Sequence, residues 1–262
     1  MMKKLNLGLD YFQVSEFSFG TASLARVGGL EKQNEFLRAA RDIGFSHYDT
    51  SPYYGFGLSE IALGQAFGNN SKITIASKVG IYPPKSLSNT PSYCEVIARK
   101  SVGKFFKGLK SPYVSYDFNE ASRSLTRTLK RLKRTYLDIL YIHEPKFGDF
   151  SLIELGSWMK LESRRVKHFG FAGELSCFEE GPPPDFYKNF ILQTRISQKK
   201  DLNDKTFETL SENIKFVYGL NSSLGQGEEI SSAIGRVRNF KNQPGMIIST
   251  SNLSRLGFYQ SV

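Results

Sequence analysis

Residues 119–142 are N-E-A-S-R-S-L-T-R-T-L-K-R-L-K-R-T-Y-L-D-I-L-Y-I, a helical pattern followed directly by a strand pattern. The first part places Leu125, Leu129 and Leu132 on one face of an amphipathic helix. The second part, Leu137–Ile142, is almost continuously apolar, which is typical of a strand buried on both faces. A helix followed by such a strand indicates a parallel sheet covered by helices.

The same alternation extends along the whole chain. Eight strands are predicted, with centres near residues 18, 47, 75, 139, 170, 193, 217 and 248. Helices are predicted between most of them, over 31–43, 58–67, 119–133, 152–166 and 228–240. Eight such units predict an α/β fold, the (β/α)8 TIM barrel, as a single domain. An open doubly wound sheet is the alternative, but the sequence lacks the G-x-G-x-x-G loop that usually follows its first strand.

The longest connection covers residues 81–117 and contains Pro83, Pro84 and Pro112. Connections of this length inside a compact domain usually serve as lids or binding loops. Because it follows the third predicted strand, it would lie over the face on which TIM barrels carry their active sites. We therefore expect one domain, 1–262, with the loop 81–117 over its catalytic face.

Composition limits the class of protein. The chain has 262 residues and is 40% hydrophobic and 23% charged, which indicates a globular protein with a substantial core. Its two cysteines, Cys94 and Cys177, are too few for a disulfide scaffold or a zinc cluster, so we expect no metal site and a cytoplasmic location. No apolar run approaches the roughly 20 residues of a membrane span, and no signal-type stretch follows the basic start.

The net charge of +10 raises the hypothesis of a polyanion partner. The densest basic group, Lys130, Arg131, Lys133 and Arg134, falls on the predicted amphipathic helix and is interpreted as a solvated helix face. The sequence has neither a zinc-finger spacing nor an aromatic RNA-binding motif, so we do not expect nucleic-acid binding.

Polar side chains stand at the ends of three successive predicted strands. Asp49 ends the second strand and Tyr54 follows it, Lys78 ends the third, and His143 ends the fourth. In a barrel these ends share one face, where TIM-barrel chemistry occurs. Taken singly, Lys78 is explained by a strand-end ion pair, His143 by a buried histidine with satisfied hydrogen bonds, and Tyr54 by an anchor of the loop. Together they predict one polar pocket, because polar groups at the mouths of apolar strands are costly to bury unless they are paired.

These four side chains suit the protonation of a carbonyl oxygen. A tyrosine with an ordinary pKa near about 10 is a weak acid, and a neighbouring ammonium group is expected to lower that pKa. We therefore expect Lys78, held by Asp49, to lower the pKa of Tyr54, while His143 positions the carbonyl oxygen or helps to relay the proton. The accompanying hydride has to come from a cofactor, because no side chain can supply it.

The same segments resemble the aldo-keto reductases. The matching motifs are F-G-T at 19–21, D-T-S-P-Y-Y-G-F-G-L-S-E at 49–60, A-S-K-V-G at 76–80 and L-D-I-L-Y-I-H-E-P at 137–145. The resemblance implies a (β/α)8 barrel, NADP(H) or NAD(H) as cofactor, and reversible carbonyl–alcohol chemistry with Tyr54 as general acid. The stretch 116–132 is similar to the branch of aldose dehydrogenases, which implies a small carbonyl compound or sugar as substrate.

The resemblance also implies cofactor-binding residues. Thr21 lies in the F-G-T motif, Gln193 matches the family's ligand of the nicotinamide amide, and Tyr218 matches the ring that stacks on nicotinamide. The phosphate-binding segment is matched by Ser249, Thr250, Ser251 and Arg255. Arginine can bind a 2′-phosphate through two hydrogen bonds, so Arg255 favours NADPH, although a solvated helix position is the other interpretation.

Two features differ from the family pattern. The chain has G-F-A-G at 170–173 where the family usually has G-V-S-N, and seven residues follow Arg255. Two hypotheses therefore remain. The first is an NADP(H)-dependent aldo-keto reductase or aldose dehydrogenase, which the four strand-end residues favour. The second is a catalytically weak or inactive barrel that acts as a nucleotide-binding scaffold or sensor, which the two differences favour.

Overall fold

The computed structural model describes residues 2–7, 12–84, 94–96, 98, 111–196, 205–224 and 228–262. Its strands in these ranges are β1 Lys4–Asn6, β2 Gln13–Ser15, β3 Phe17–Gly20, β4 His47–Asp49, β5 Thr74–Val79, β6 Ile81–Tyr82, β7 Tyr113–Val114, β8 Leu137–His143, β9 Val166–Gly173, β10 Ile191–Arg195, β11 Ile214–Tyr218 and β12 Gly245–Ile248. The α-helices are α1 Leu30–Ile43, α2 Leu58–Ala66, α3 Phe118–Leu132, α4 Leu152–Glu162, α5 Leu175–Glu179, α6 Lys205–Leu210, α7 Ile230–Arg238 and α8 Leu253–Ser261.

Eight of these strands form a closed parallel barrel in the order β3-β4-β5-β8-β9-β10-β11-β12. The predicted (β/α)8 barrel is thus confirmed, and each of the eight predicted strand centres falls within or directly beside a barrel strand. The helix predicted over 152–166 ends earlier, at Glu162, because Val166 already pairs with Leu137 as the first residue of β9.

The hairpin β1–β2 lies across the amino ends of the barrel strands. Its side chains Leu5 and Val14 are buried in the same cluster as interior residues of the barrel. Phe12 beside it contacts the ring of His47, at 6.4 Å between centroids, and that of His168, at 5.2 Å. This end is therefore packed with apolar side chains, and the cavity that contains the strand-end polar residues lies at the other end, where the strands finish.

The basic group on α3 is not a uniformly solvated face, which corrects the interpretation drawn from the sequence. Lys130 and Lys133 are exposed, but Arg131 is buried, and its Nη1 lies 2.8 Å from Oε2 of the buried Glu60 on α2. The two helices approach closely, since a Cβ on Gly64 would lie only 2.1 Å from the carbonyl oxygen of Arg131. The close packing of α2 on α3 is what buries this part of the basic group.

Arg134 is buried in the same way just beyond α3. Its guanidinium donates to the carbonyl oxygens of Gly68, Asn70 and Ile73 and pairs with Asp138 on β8 at 3.1 Å. Arg134 therefore ties the segment before β5 to β8. The charge of Arg134 is paired with Asp138 inside the fold and is not accessible to a polyanion.

The two ends of the long connection lie side by side. β6 pairs with β7 in antiparallel register, so that Ile81 and Val114 are partners immediately after β5. Most of the predicted loop 81–117 lies outside the described residues, and its placement over the catalytic face stays a prediction. Within the part of the chain that the structure describes, no helix is both long and apolar enough to cross a bilayer.

Candidate active site

Asp49 and Lys78 form a buried ion pair at the carboxyl ends of β4 and β5. The Nζ of Lys78 donates to both carboxylate oxygens of Asp49, at 2.6 and 2.7 Å, and to the carbonyl oxygen of Thr50 at 3.0 Å. Both side chains are almost completely buried. The pair has this geometry because β4 and β5 are neighbours in the barrel and both residues stand at the ends of their strands.

Tyr54 and His143 complete the group. Tyr54 lies in the 3-10 turn after β4, and the Nζ of Lys78 is 5.0 Å from the centroid of its ring. His143 ends β8, and its ring stands perpendicular to that of Tyr54, with the centroids 6.5 Å apart. Burial and the nearby ammonium of Lys78 lower the pKa of His143 to about 3. The imidazole is therefore neutral at pH 7 and can orient a carbonyl oxygen by a hydrogen bond but not by charge.

The pKa of Tyr54 differs from the expectation drawn from the sequence. Burial raises it above the ordinary value, and the carboxylates of Asp49 and Glu144 raise it further. The expected net lowering of this pKa is therefore not found: burial and the two carboxylates outweigh Lys78, whose charge is largely cancelled by Asp49 at 2.6 and 2.7 Å. Lys78 instead offsets a carboxylate that would otherwise raise the pKa of Tyr54 more strongly.

These four residues line one cavity of about 570 Å³ at the carboxyl ends of the strands. The cavity is large enough for a small organic ligand. Several other residues line the cavity but were not predicted from the sequence as site residues: Tyr53, Ile81, Pro112, Glu144, Arg195 and Asn221. Glu144 and Arg195 could have been found by the same rule that selected His143, since they follow or end β8 and β10.

Gln193 and Tyr218 also line the cavity. The Nε2 of Gln193 donates to Oδ2 of Asp49 at 3.2 Å, which orients the side-chain amide. Its Oε1 is buried and has no hydrogen-bond partner among the residues that the structure describes. A buried acceptor without a partner on a cavity wall suits a ligand that brings an N–H group, as a nicotinamide carboxamide does.

Thr21 lies behind the wall of the cavity. Its Oγ1 is 3.1 Å from the carbonyl oxygen of Asp49 and 2.9 Å from Oγ1 of Thr50. The residue is fully buried and is absent from the cavity lining. Thr21 therefore positions the Asp49 segment, and the structure does not bring its side chain to the cavity surface.

The predicted phosphate-binding residues lie at the far side of the cavity, before and within the first turn of α8. Ser249 lines the cavity, and its Oγ is 2.9 Å from that of Ser23. Thr250 accepts a hydrogen bond from the backbone N–H of Asn252. Ser251 and Arg255 are exposed beside it. A helix N-terminus beside an exposed arginine is a suitable anion site, so this segment fits a phosphate group.

The segment 170–173 leaves the end of β9 without polar side chains. Ala172 lines the cavity where the family pattern has a serine. Gly170 is required by packing, because a Cβ there would lie 2.0 Å from the carbonyl oxygen of Ile191. A nicotinamide in the cavity would thus rely on Gln193 and Tyr218. In the described parts of the chain, no group of three His, Cys, Asp or Glu side chains could hold a metal ion.

The chain is a TIM-barrel protein with a cavity at the carboxyl ends of its strands, the position in which this class carries its active sites. The chain belongs to the aldo/keto reductase family, whose model matches residues 16–166. It is 28% identical to an L-galactose dehydrogenase of Arabidopsis thaliana over 152 residues, which cover 56% of this chain and 40% of that protein. It is 28% identical to a D-threo-aldose 1-dehydrogenase of Pseudomonas sp over 135 residues, covering 50% and 39%. The chain thus spans about two fifths of the length of these curated relatives.

Solved structures show the same fold. An aldo-keto reductase from Bacillus halodurans in its holo form matches with a TM-score of 0.72 at 15% identity, over 100% of this chain and 90% of that one. An aldo-keto reductase from Klebsiella pneumoniae in complex with NADPH matches with a TM-score of 0.61 at 16% identity, over 100% and 89%.

Proposed function

We propose that the protein is an NADP(H)-dependent oxidoreductase that interconverts a carbonyl compound and the corresponding alcohol or lactone. The carbonyl compound is an aldehyde, a ketone or an aldose. The observation that carries the proposal is the convergence of the Asp49–Lys78 pair, Tyr54 and His143 on the wall of one cavity. Membership of the aldo/keto reductase family and the similarity to two sugar dehydrogenases support it.

Each of these residues has a distinct role in the proposed reaction. Tyr54 donates the proton to the carbonyl oxygen in reduction and accepts it in oxidation. His143, as a neutral imidazole, orients that oxygen, and Lys78 offsets the charge of Asp49 beside Tyr54. The nicotinamide cofactor supplies or accepts the hydride, and Gln193 with Tyr218 would hold its ring end. Ser249, Thr250, Ser251 and Arg255 would hold its phosphate end.

The proposal is tested by titration with NADPH, NADP+, NADH and NAD+, followed by protein fluorescence, and by turnover of a panel of small aldehydes and aldoses. We expect saturable binding of the NADP forms and reduction of at least one carbonyl compound. Absence of both binding and turnover would contradict the proposal.

A second candidate is a nucleotide-binding scaffold or sensor with weak or no catalysis. The loss of polar side chains at Ala172 and Gly173 favours it, because fewer groups fix the nicotinamide. The chain is also 27% identical over 149 residues to a protein named probable voltage-gated potassium channel subunit beta of Arabidopsis thaliana. Binding of NADPH without turnover of any substrate in the panel would favour this candidate.

Arg255→Ala is expected to weaken NADPH binding by roughly tenfold to a hundredfold, because loss of a charged hydrogen bond costs about 1.5–3 kcal/mol. NADH, which lacks the 2′-phosphate, should lose little. Fluorescence titration with both nucleotides measures the difference. Arg164→Ala, an exposed arginine before β9 at the opposite end of the barrel, is the control. An equal loss for both nucleotides would show that Arg255 does not contact the 2′-phosphate.

Replacement of either partner of the Asp49–Lys78 ion pair should shift the pKa of Tyr54, in opposite directions for the two partners. Lys78→Met leaves Asp49 negative and uncompensated, so the pKa of Tyr54 rises further, whereas Asp49→Asn removes a carboxylate that raises it, so the pKa falls. The pH at which the reduction rate declines on the alkaline side should be lower in Asp49→Asn than in the wild type, whereas Lys78→Met should show no such lowering. Asp42→Asn, an exposed residue near the amino end of β4, serves as control. Shifts in the same direction for both variants would contradict this mechanism.

A further inference from the structure

Glu144 follows His143 at the end of β8 and lines the cavity together with Tyr54. Its backbone has a φ of 47°, in the left-handed region that residues with a side chain seldom adopt. Such a conformation persists only where the surrounding structure holds it, and it is a reason to look for a function.

Two hydrogen bonds hold this conformation. The backbone N–H of Glu144 donates to the carbonyl oxygen of Ala172 on β9 at 2.6 Å. The hydroxyl of Tyr116 donates to the carbonyl oxygen of Glu144 from the other side. The ring of Tyr116 packs in turn on Phe150, with the centroids 5.4 Å apart. The backbone of Glu144 is thereby fixed, and its exposed side chain belongs to the lining of the cavity.

The charge of this carboxylate is not balanced by the described cations of the cavity. Lys78 is bound to Asp49, and Arg195 is bound to Glu174 with 3.0 Å between Nη1 and Oε1. Glu144 makes no ion pair with the residues that the structure describes. Both lining cations are thus paired with a carboxylate, and Glu144 is the described charged residue of the lining that has no ion pair, although the chain as a whole carries +10.

The negative charge acts across the cavity. Besides burial, Glu144 raises the pKa of Tyr54 and that of Tyr218, which stand on different walls. A ligand between these rings would therefore experience the charge of the same carboxylate. An anionic group on that ligand would be repelled, whereas hydroxyl groups can donate hydrogen bonds to the carboxylate.

We propose that Glu144 determines charge specificity, so that the cavity accepts uncharged, hydroxylated carbonyl compounds and rejects those that carry a carboxylate or phosphate. That the accepted compounds are substrates rests on the proposed oxidoreductase function. The selection by charge, in contrast, is a property of the cavity itself. It can therefore be measured as binding, independently of turnover.

The binding test uses two ligands of equal shape, 4-(hydroxymethyl)benzamide and 4-(hydroxymethyl)benzoate, titrated by ligand-observed NMR. The wild type should bind the neutral amide roughly tenfold more tightly than the benzoate, as expected for one charge a few ångströms away. Glu144→Gln keeps the shape and the backbone hydrogen bonds, and it should bring the ratio of the two dissociation constants close to one. An unchanged ratio, or binding of neither ligand to the wild type, would overturn the proposal.

Glu212→Gln is the matched control. Glu212 is exposed and precedes β11, at the opposite end of the barrel, so the variant has the same net charge as Glu144→Gln. It should leave the ratio at its wild-type value, and a shift equal to that of Glu144→Gln would mean that only overall charge matters.

A turnover test separates this proposal from the proposed function. With NADPH present, kcat/KM for 4-carboxybenzaldehyde relative to its neutral methyl ester should rise roughly tenfold in Glu144→Gln. If neither aldehyde is reduced while the NMR ratio still changes as expected, the proposed function fails and the charge selection by Glu144 stands.

Discussion

Tyr54→Phe is expected to reduce carbonyl turnover by about 100- to 10,000-fold, the usual contribution of a general acid. The variant keeps the ring that faces Lys78 and His143 but removes the hydroxyl that can protonate the carbonyl oxygen. Cofactor binding should survive, because Gln193, Tyr218 and the residues around Arg255 are unchanged. Single-turnover reduction by bound NADPH, together with fluorescence titration of NADPH, measures both quantities.

Tyr259→Phe is the matched control for this variant. Tyr259 is a buried tyrosine that packs on Phe17, near the amino end of β3 and away from the cavity. Its substitution also removes one phenol hydroxyl, and turnover should stay near the wild-type value. Unchanged turnover in Tyr54→Phe would exclude Tyr54 as the proton donor and leave the scaffold hypothesis as the stronger one.

The barrel could be predicted from the sequence because its strands are buried on both faces. Runs such as Leu137–Ile142 and Ile73–Val79 carry apolar residues on both faces, which a half-exposed strand with alternating polar residues does not. Helix ends were less predictable. Val166 continues the apolar spacing of α4, but its pairing with Leu137 in the barrel places it in β9.

The convergence of polar residues could also be predicted, because strand ends in a parallel barrel share one face. The direction of the pKa shift at Tyr54 could not. It depends on burial and on two carboxylates, Asp49 and Glu144, whose distances follow from the fold and not from sequence spacing. Likewise, spacing predicted an exposed position for Arg131, whereas the packing of α2 on α3, with a contact to Glu60 71 residues away along the chain, buries it.

Asp138→Asn is expected to lower the free energy of unfolding by about 3–5 kcal/mol, the usual cost of removing one partner of a buried ion pair. Asp138 interrupts the apolar run of β8, and its side chain and that of Arg134 are each 3% exposed. Its Oδ2 accepts hydrogen bonds from Arg134 and from the backbone N–H of Ile75, and its Oδ1 pairs with Lys167. Asparagine has nearly the same shape and can still accept the bond from Ile75, so the change isolates the loss of charge beside a buried guanidinium.

Thermal unfolding should show this loss as a fall in Tm of roughly 6–20 °C, given about 2–4 °C per kcal/mol for a chain of this size. The control is Asp185→Asn, which breaks an exposed pair with Lys188 and should change Tm little, because water already solvates both charges. The double variant Asp138→Asn/Arg134→Met should be more stable than the sum of the two single changes predicts, since no buried charge is then left without its carboxylate. Strict additivity, or a Tm for Asp138→Asn equal to that of Asp185→Asn, would show that this pair does not couple the segment before β5 to β8.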